Sequence, residues 1–305
     1  MAQPLVVVGS LNMDIVCRVA RAPAAGETVL GGDARYLAGG KGANQAVACA
    51  RLGGSVRMIG RVGSDAFGAR LRAGLAQEGI DVSAVGTEDT ASGIALILVE
   101  GDGQNRITVA PGANARLTPA HVDAAAITWP RGGWLLIQLE TPLDTVGAAI
   151  LAAQRAGLRV MLNPAPAQPL PQHWLPLIDV LVPNESEAAL LAGTPRDGEA
   201  GALAAARQLR AQGARCVLVT LGERGVLIVD DDGERSVVPP PVSAVDTTAA
   251  GDTFTGALAV ALSEGMPLRA AAEFAVRAAA LSVTRAGAQS SIPWRAELGT
   301  GAAPE

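Results

Sequence analysis

A doubly wound α/β fold, with a mostly parallel sheet flanked by helices and a small β-sheet lid, is predicted by three observations. Short continuous apolar runs alternate with helix-length segments for most of the chain, which is how a parallel sheet covered on both faces reads. Polar residues stand just beyond the ends of successive runs, where open α/β sheets hold their ligands. One hairpin signal interrupts the series and supplies strands for a second, smaller sheet.

The composition sets the bounds. Of 305 residues, 49% are hydrophobic and 3% aromatic, so a substantial core of Ala, Val and Leu is expected in one α/β domain spanning 1–305. A formal net charge of −5 without a basic cluster disfavours nucleic acid as a partner. Cys17, Cys49 and Cys216 form no CxxC pair, which argues against a disulfide framework or a zinc site and fits a reducing cytoplasm. No apolar run approaches the roughly 18 residues of a membrane span, and the first residues lack the pattern of a signal peptide. A soluble, cytoplasmic protein with no membrane partner is therefore expected.

Taken in order, residues 5–8 read as a buried strand ending at Gly9, followed by Asn12 and Asp14 as candidate polyol contacts or plain turn residues. Strand-like segments around 13–20 and 27–36, the latter strongest at 27–30, precede the glycine-rich run 38–46, which opens a helix to about residue 52. That run lacks the GxxxxGK[ST] spacing of a Walker loop. Lys41 and Asn44, three apart on one face of a helix start, offer a cation and an amide to a ligand. A strand at 56–59 and a helix at 65–77 follow, with 79–81 closing the unit. Runs at 93–99 and 106–110, joined by a Gly/Asp turn, form the interrupting hairpin; with the earlier segments they predict a lid from about 12–37 and 91–111.

After a helix opened by Thr118-Pro119, strands are expected at 134–139, 158–162, 178–182 and 216–220, with helices at 142–155, 185–191 and 199–212. Glu140, Asn163, Asn184 with Glu187, and Thr220 with Gly222 stand at the ends of these strands, a pattern that lines a site. Residues 226–229 and 236–238 suggest a hairpin around the acidic tip Asp230-Asp231-Asp232. Helices at 251–264 and 268–284 complete the fold, and 299–305 reads as a frayed tail. Neither His121 nor His173 is placed for catalysis.

The stretch Asp246-Thr247-Thr248-Ala249-Ala250-Gly251-Asp252 runs straight into the first of those last helices. Small residues let backbone N–H groups crowd one point, and the helix dipole makes that point attractive to an anion. Asp252 reads either as an N-terminal capping carboxylate or as a general base beside an anion hole.

The motifs Gly39-Gly40-Lys41-Gly42-Ala43-Asn44-Gln45, Asn184-Glu185-Ser186-Glu187 and Asp246 to Phe254 resemble the signatures of the ribokinase-type (PfkB) carbohydrate kinases. Gly9 to Asp14, Gln138-Leu139-Glu140, 162–167, Thr220-Leu221-Gly222 and 283–289 extend the resemblance over nearly the whole chain in the family's order. It implies phosphorylation of D-ribose at O5 by ATP, with related sugar or nucleoside kinases (deoxyribose, fructose, nucleoside) and a non-catalytic sugar-binding regulator as alternatives. Intact Asp252 argues against the regulator. By the same resemblance, Asn12, Asp14, Gly40, Lys41, Asn44 and Glu140 hold the sugar. Asp252 takes the proton of the attacking hydroxyl, and backbone N–H groups of Ala249, Ala250 and Gly251 stabilise the moving phosphoryl group.

The resemblance further implies that Asn184 and Glu187 position phosphate and Mg²⁺, and that Thr220, Gly222, Gly225 and Gly251 bind the nucleotide. Val276 stands where a polar residue near adenine is common, so contacts there become apolar. A potassium ion as activator is implied between Asp246 and Thr248 on one side and the loop of Ser282, Arg285, Gly287 and Ser291 on the other. A homodimer through interlocking lids is implied as well.

Overall fold

The computed structural model describes residues 2–101 and 103–299. Its strands are β1 (Leu5–Val8), β2 (Asn12–Arg18), β3 (Arg35–Gly39), β4 (Val56–Gly63), β5 (Asp81–Glu88), β6 (Gly93–Val99), β7 (Asn105–Ala110), β8 (Trp134–Ile137), β9 (Arg159–Leu162), β10 (Val180–Leu181), β11 (Val217–Thr220), β12 (Val226–Asp230) and β13 (Gly233–Val237). Its helices are α1 (Lys41–Arg51), α2 (Ala66–Gln77), α3 (Pro119–Ala126), α4 (Leu143–Ala156), α5 (Glu185–Ala192), α6 (Gly198–Ala211), α7 (Ala250–Ser263) and α8 (Leu268–Ser282).

Nine strands form the main sheet in the order β13-β12-β11-β10-β9-β8-β1-β4-β5. Pairing is parallel from β5 through β11 and antiparallel from β11 to β12 and β13. Successive side chains of a strand point to opposite faces. Accordingly Leu5 and Val7 pack into one core with α1, α2, α7 and α8, while Val6 and Val8 pack into a second with α3, α4 and α6. Both faces are thus covered, and the polar ends of the parallel strands open along one edge.

The remaining strands make a second sheet, β3-β2-β6-β7. It begins where β2 leaves β1 after only three intervening residues and returns through β3 into α1. The lid segments expected from the sequence are largely these strands, with one correction. Residues 27–30 form no strand, and Leu30 is 92% exposed; the partner of β2 is 35–39, which pairs Asn12 with Gly39 and Asp14 with Leu37. The apolar pair Val29-Leu30 suggested a strand, but no buried surface receives it.

Two further differences have the same kind of cause. The unit expected to close at 79–81 instead continues into β5, an edge strand in which only Val85 is buried, so its sequence carries little apolar signal. The strand expected at 56–59 runs to Gly63, past Gly60 and Arg61, which break the apolar run without breaking the pairing to β5. The acidic turn lies at the β12–β13 junction as expected, although β13 starts at Gly233 rather than 236. The tail expected at 299–305 lies, beyond Gly299, outside the described residues, as does Asp102 in the lid hairpin.

Candidate active site

The site grows from the short link between β1 and β2. Asn12 and Asp14 lie two apart on β2, hence on one face, and both side chains are buried. Gly40 sits against them as N-cap of α1 with φ +89°, and a Cβ there would lie 2.7 Å from Asn12 N. Glycine alone fits this position. The close approach lets Glu140, just beyond β8, accept hydrogen bonds from Ser10 Oγ at 2.6 Å and Lys41 N at 3.1 Å, with Asn12 Nδ2 at 3.5 Å.

Asp252 enters from the other side, on the first turn of α7. It is buried, and its Oδ2 accepts from Asn44 Nδ2 at 2.9 Å while its Oδ1 accepts from Gln45 Nε2 at 3.0 Å. The capping alternative is excluded by this geometry. The N-cap of α7 is Ala249, without a side-chain cap bond, and the Asp252 carboxylate is spent on α1 rather than on its own first turn. Ala249 adopts φ +59°, the one left-handed non-glycine residue among those described. Such strain persists only where surrounding structure imposes it, and it clusters at functional sites. Of the expected anion-hole donors, Ala250 N–H is engaged with Thr247 O at 3.2 Å, whereas those of Ala249 and Gly251 have no backbone acceptor among the described residues.

The electrostatics follow from crowding. Burial, then the neighbouring Glu140 and Asp252, push the Asp14 carboxyl up to about 7, against the opposing pull of Lys41. Burial likewise raises Asp252, opposed by Lys41 and by the donors Asn44 and Gln45. Glu187 is raised by burial, although it accepts from Asn184 N at 2.8 Å. Burial disfavours the Lys41 ammonium, but Asp252, Glu140, Glu187 and Asp14 together hold its pKa above the ordinary value. One cation among four carboxylates is a site short of positive charge, and such a site suits a ligand that brings a cation with it.

Two clefts meet at the N-terminus of α7. One of ≈ 220 Å³ is lined by Lys41, Asn163, Asn184, Glu187, Asp252 and Thr255; the other, of ≈ 440 Å³, by Gly222, Gly225, Val242, Phe254, Val276 and Ala279; Thr220, Thr247, Ala250 and Gly251 belong to both. The residues expected to bind one nucleotide are therefore divided. Thr220, Gly222, Gly225, Gly251 and Val276 line the larger, mostly apolar cleft, and Asn184 and Glu187 line the smaller one. A bridge between Asn184 and Thr220 joins the two floors. A Cβ on Gly251 would meet nothing within 4 Å, and its φ is not left-handed. Neither backbone nor packing calls for glycine there.

The expected cation residues come together only in part. Asp246 Oδ1 accepts from Thr248 N at 2.9 Å and Thr248 Oγ1 at 2.6 Å, and its Oδ2 from Gly287 N at 2.9 Å. Although burial opposes it, these donors hold the Asp246 carboxyl below its usual range. Ser282 and Ser291 spend their hydroxyls on Ala279 O and Ala288 O, and Arg285 pairs with Glu297 at 2.5 Å. Side chains are thus committed, and backbone oxygens are what this loop has to offer a hard monovalent ion. Among the described residues no group of three or more His, Cys, Asp or Glu could hold a metal ion.

Several contributors escaped the sequence reading. Gln45 is fully buried, donates to Asn163 Oδ1 at 3.2 Å as well as to Asp252, and accepts from Gln138 Nε2 at 2.6 Å. Asn114, beyond the hairpin, donates to Asn12 Oδ1 at 2.7 Å and brackets the Leu11 backbone. The first stood in the Gly39 to Gln45 motif without a role assigned, and a Gln inside the Ala-rich face of a helix was the signal that could have given it one. His121 caps α3 and His173 is exposed, both away from the site.

The family model described as pfkB family carbohydrate kinase matches residues 2–295. The chain belongs to this family. It is 43% identical over 298 residues to the ribokinase of Haemophilus influenzae, covering 97% of each chain, and 39% identical over 291 residues to a deoxyribokinase of Salmonella typhi, covering 95% of each. Among solved structures it resembles Arabidopsis thaliana ribokinase complexed with ribose and ATP (35% identity, TM-score 0.87, 98% of each chain). Escherichia coli phosphofructokinase-2 in complex with potassium is more distant (25% identity, TM-score 0.79, covering 98% of this chain and 97% of that one).

Proposed function

We propose that this chain transfers the γ-phosphate of ATP to O5 of D-ribose, giving D-ribose 5-phosphate. The observation that carries the reading is a buried, doubly clamped Asp252 lining the smaller cleft next to Gly251, which lines both, on the first turn of a helix whose end faces the two. Ribokinases similar over nearly the full length support the choice of sugar. Asn12, Asp14, Gly40, Lys41, Asn44 and Glu140 orient the sugar hydroxyls, the amides and the ammonium as donors and the carboxylates as acceptors. Asp252 accepts the O5 proton as that oxygen attacks, and the free N–H groups at the start of α7 face the charge that accumulates on the phosphoryl oxygens.

Alignment and charge neutralisation supply most of such a transfer. Lys41 lines the smaller cleft with Asp252 and Glu187 and feels both carboxylates, so it holds the transferring group from the sugar side. Thr220, Gly222, Gly225 and Val276 form the nucleotide wall, and Asn184 and Glu187 face the phosphates. Mg²⁺ carried by ATP supplies the positive charge that the carboxylate-rich site lacks. Potassium held by carbonyls near Asp246, Thr248 and Gly287 is part of the same reading; its effect is to order the loop packed on α7. It is supported by the committed side chains there and by the potassium complex of the distant relative.

The small sheet acts as a lid inserted in one α/β unit, excluding water that would otherwise compete for the phosphoryl group. Its edge strand β7 is exposed throughout, and Ile107 and Val109 lie exposed on the face that also bears Asp14. These exposed apolar side chains support a homodimer in which a second copy covers them. A cytoplasmic location, where ATP is at hand, completes the proposal; no helix among the described residues is long and apolar enough to cross a membrane.

The test is ATP-dependent phosphorylation over a panel of pentoses, deoxyribose, hexoses and nucleosides, in sodium and in potassium. Ribose is expected to have the highest kcat/KM, with potassium raising it. A panel led by deoxyribose or by a nucleoside would overturn the substrate, and equal rates in the two salts would remove the monovalent ion.

A further inference from the structure

We infer that Gln45 is a positioning residue for the base, the central member of a buried amide relay that fixes the Asp252 carboxylate to the strand ends of the main sheet. The relay runs Gln138 Nε2 to Gln45 Oε1 (2.6 Å), Gln45 Nε2 to Asp252 Oδ1 (3.0 Å) and to Asn163 Oδ1 (3.2 Å), then Asn163 Nδ2 to Val182 O (2.8 Å). Gln45 is fully buried and Gln138 is 1% exposed, so neither meets substrate in either cleft. Every bond in the chain has a fixed direction. The Asp252 carboxylate can only accept, and Asn163 presents its oxygen, which obliges Gln45 to turn its NH₂ to both and its own oxygen to Gln138 Nε2. Asn163 is oriented in turn by a backbone carbonyl, which can only accept.

The consequence is a carboxylate with divided duties. Oδ1 is bound by a donor that substrate cannot displace, while Oδ2 is held by Asn44, which lies in the sugar-facing turn of α1. Asn44 Oδ1 is buried without a partner, so that amide still has an acceptor for a ligand, whereas both Gln45 nitrogen contacts are already made. Gln45 therefore sets the angle of the carboxylate, and its donor favours the ionised form that a base needs. Lys41 supports ionisation from α1, and Glu140, Asp14 and Glu187 oppose it from the β8 end, from β2 and from α5.

This inference rests on Asp252 being the base, so the experiment separates the two. Gln45→Met keeps the volume and removes the donors; its kcat is expected to fall about 10- to 100-fold, with the sugar and ATP KM values within about twofold. The acidic limb of kcat/KM moves to higher pH, because losing a donor to the carboxylate raises its pKa. In an Asp252→Asn background the same change adds less than twofold. Gln138→Met, which leaves Gln45 in place but frees its amide to turn, shifts the limb in the same direction with a smaller loss and serves if Gln45→Met folds poorly. A loss of rate with an unmoved acidic limb, or an equal loss in the Asp252→Asn background, overturns the relay while leaving the base intact. Near wild-type turnover in Asp252→Asn alone overturns the base, and the relay's catalytic role with it.

Discussion

At the scale of single residues, the site is built from groups that are costly where they stand. Asp252→Asn is expected to lower kcat by about 10²- to 10⁴-fold, the range of general base catalysis, while calorimetric titration finds sugar affinity retained. Gly251→Ala isolates the anion's need for room, since the added methyl group meets no protein atom within 4 Å. Its Tm is expected to hold or rise, as Ala favours a helix over Gly by up to about 1 kcal/mol, while kcat falls at least 10-fold and the ATP KM climbs. Asp14 carries a cost of the opposite kind. Its carboxyl, raised to about 7, binds a proton more tightly folded than unfolded, so stability is lost as pH climbs from about 4 towards 7. Asp14→Asn should therefore raise Tm at pH 8 and much less at pH 4.5, at the expense of sugar binding; melts across that range would expose an error in the sign.

At the scale of elements, α1 and α7 are the pair on which the chemistry depends. Gly256 lets them touch: a Cβ there would lie 2.6 Å from Ala48 Cβ and 2.9 Å from Gln45 O. Gly256→Val overpacks this seam, and a destabilisation of about 1–3 kcal/mol is expected, read by urea denaturation, with activity lost ahead of global unfolding. The helices and buried parallel strands were legible because apolar runs and caps announce them; Asn184 with Glu187, for instance, forms the reciprocal cap that opens α5. Edge elements were not. β5 buries one side chain, and the partner of β2 was misplaced because Leu30 looks like a strand residue yet packs against nothing. Motif spacing pointed to Lys41, Asn44 and Asp252, which the fold brings together, whereas Gln45 and Gln138 stood in the motifs without a role, because they, like Asn114, act through contacts roughly 100 or more positions distant in sequence, which no local pattern records.

At the scale of the whole molecule, two sheets stand at one edge with the site between them. The small sheet ends in the edge strand β7, whose apolar side chains Ile107 and Val109 lie exposed, the arrangement that invites pairing with another chain. Light scattering should find a dimer, and Ile107→Asp should shift it to monomer and weaken sugar binding more than ATP binding. An unchanged mass for that variant would count against the lid as the dimer contact. The clefts' common boundary at Thr220, Thr247, Ala250 and Gly251 has a different consequence, for how such a molecule can be redesigned. Residues on that boundary line both clefts, so a change to any of them alters two walls at once. On the proposed function, a new sugar preference would be written into β2, the lid and the loop after β8, and a new nucleotide preference into Val276 and its neighbours. The shared wall leaves the two specificities free to diverge independently only at their far ends.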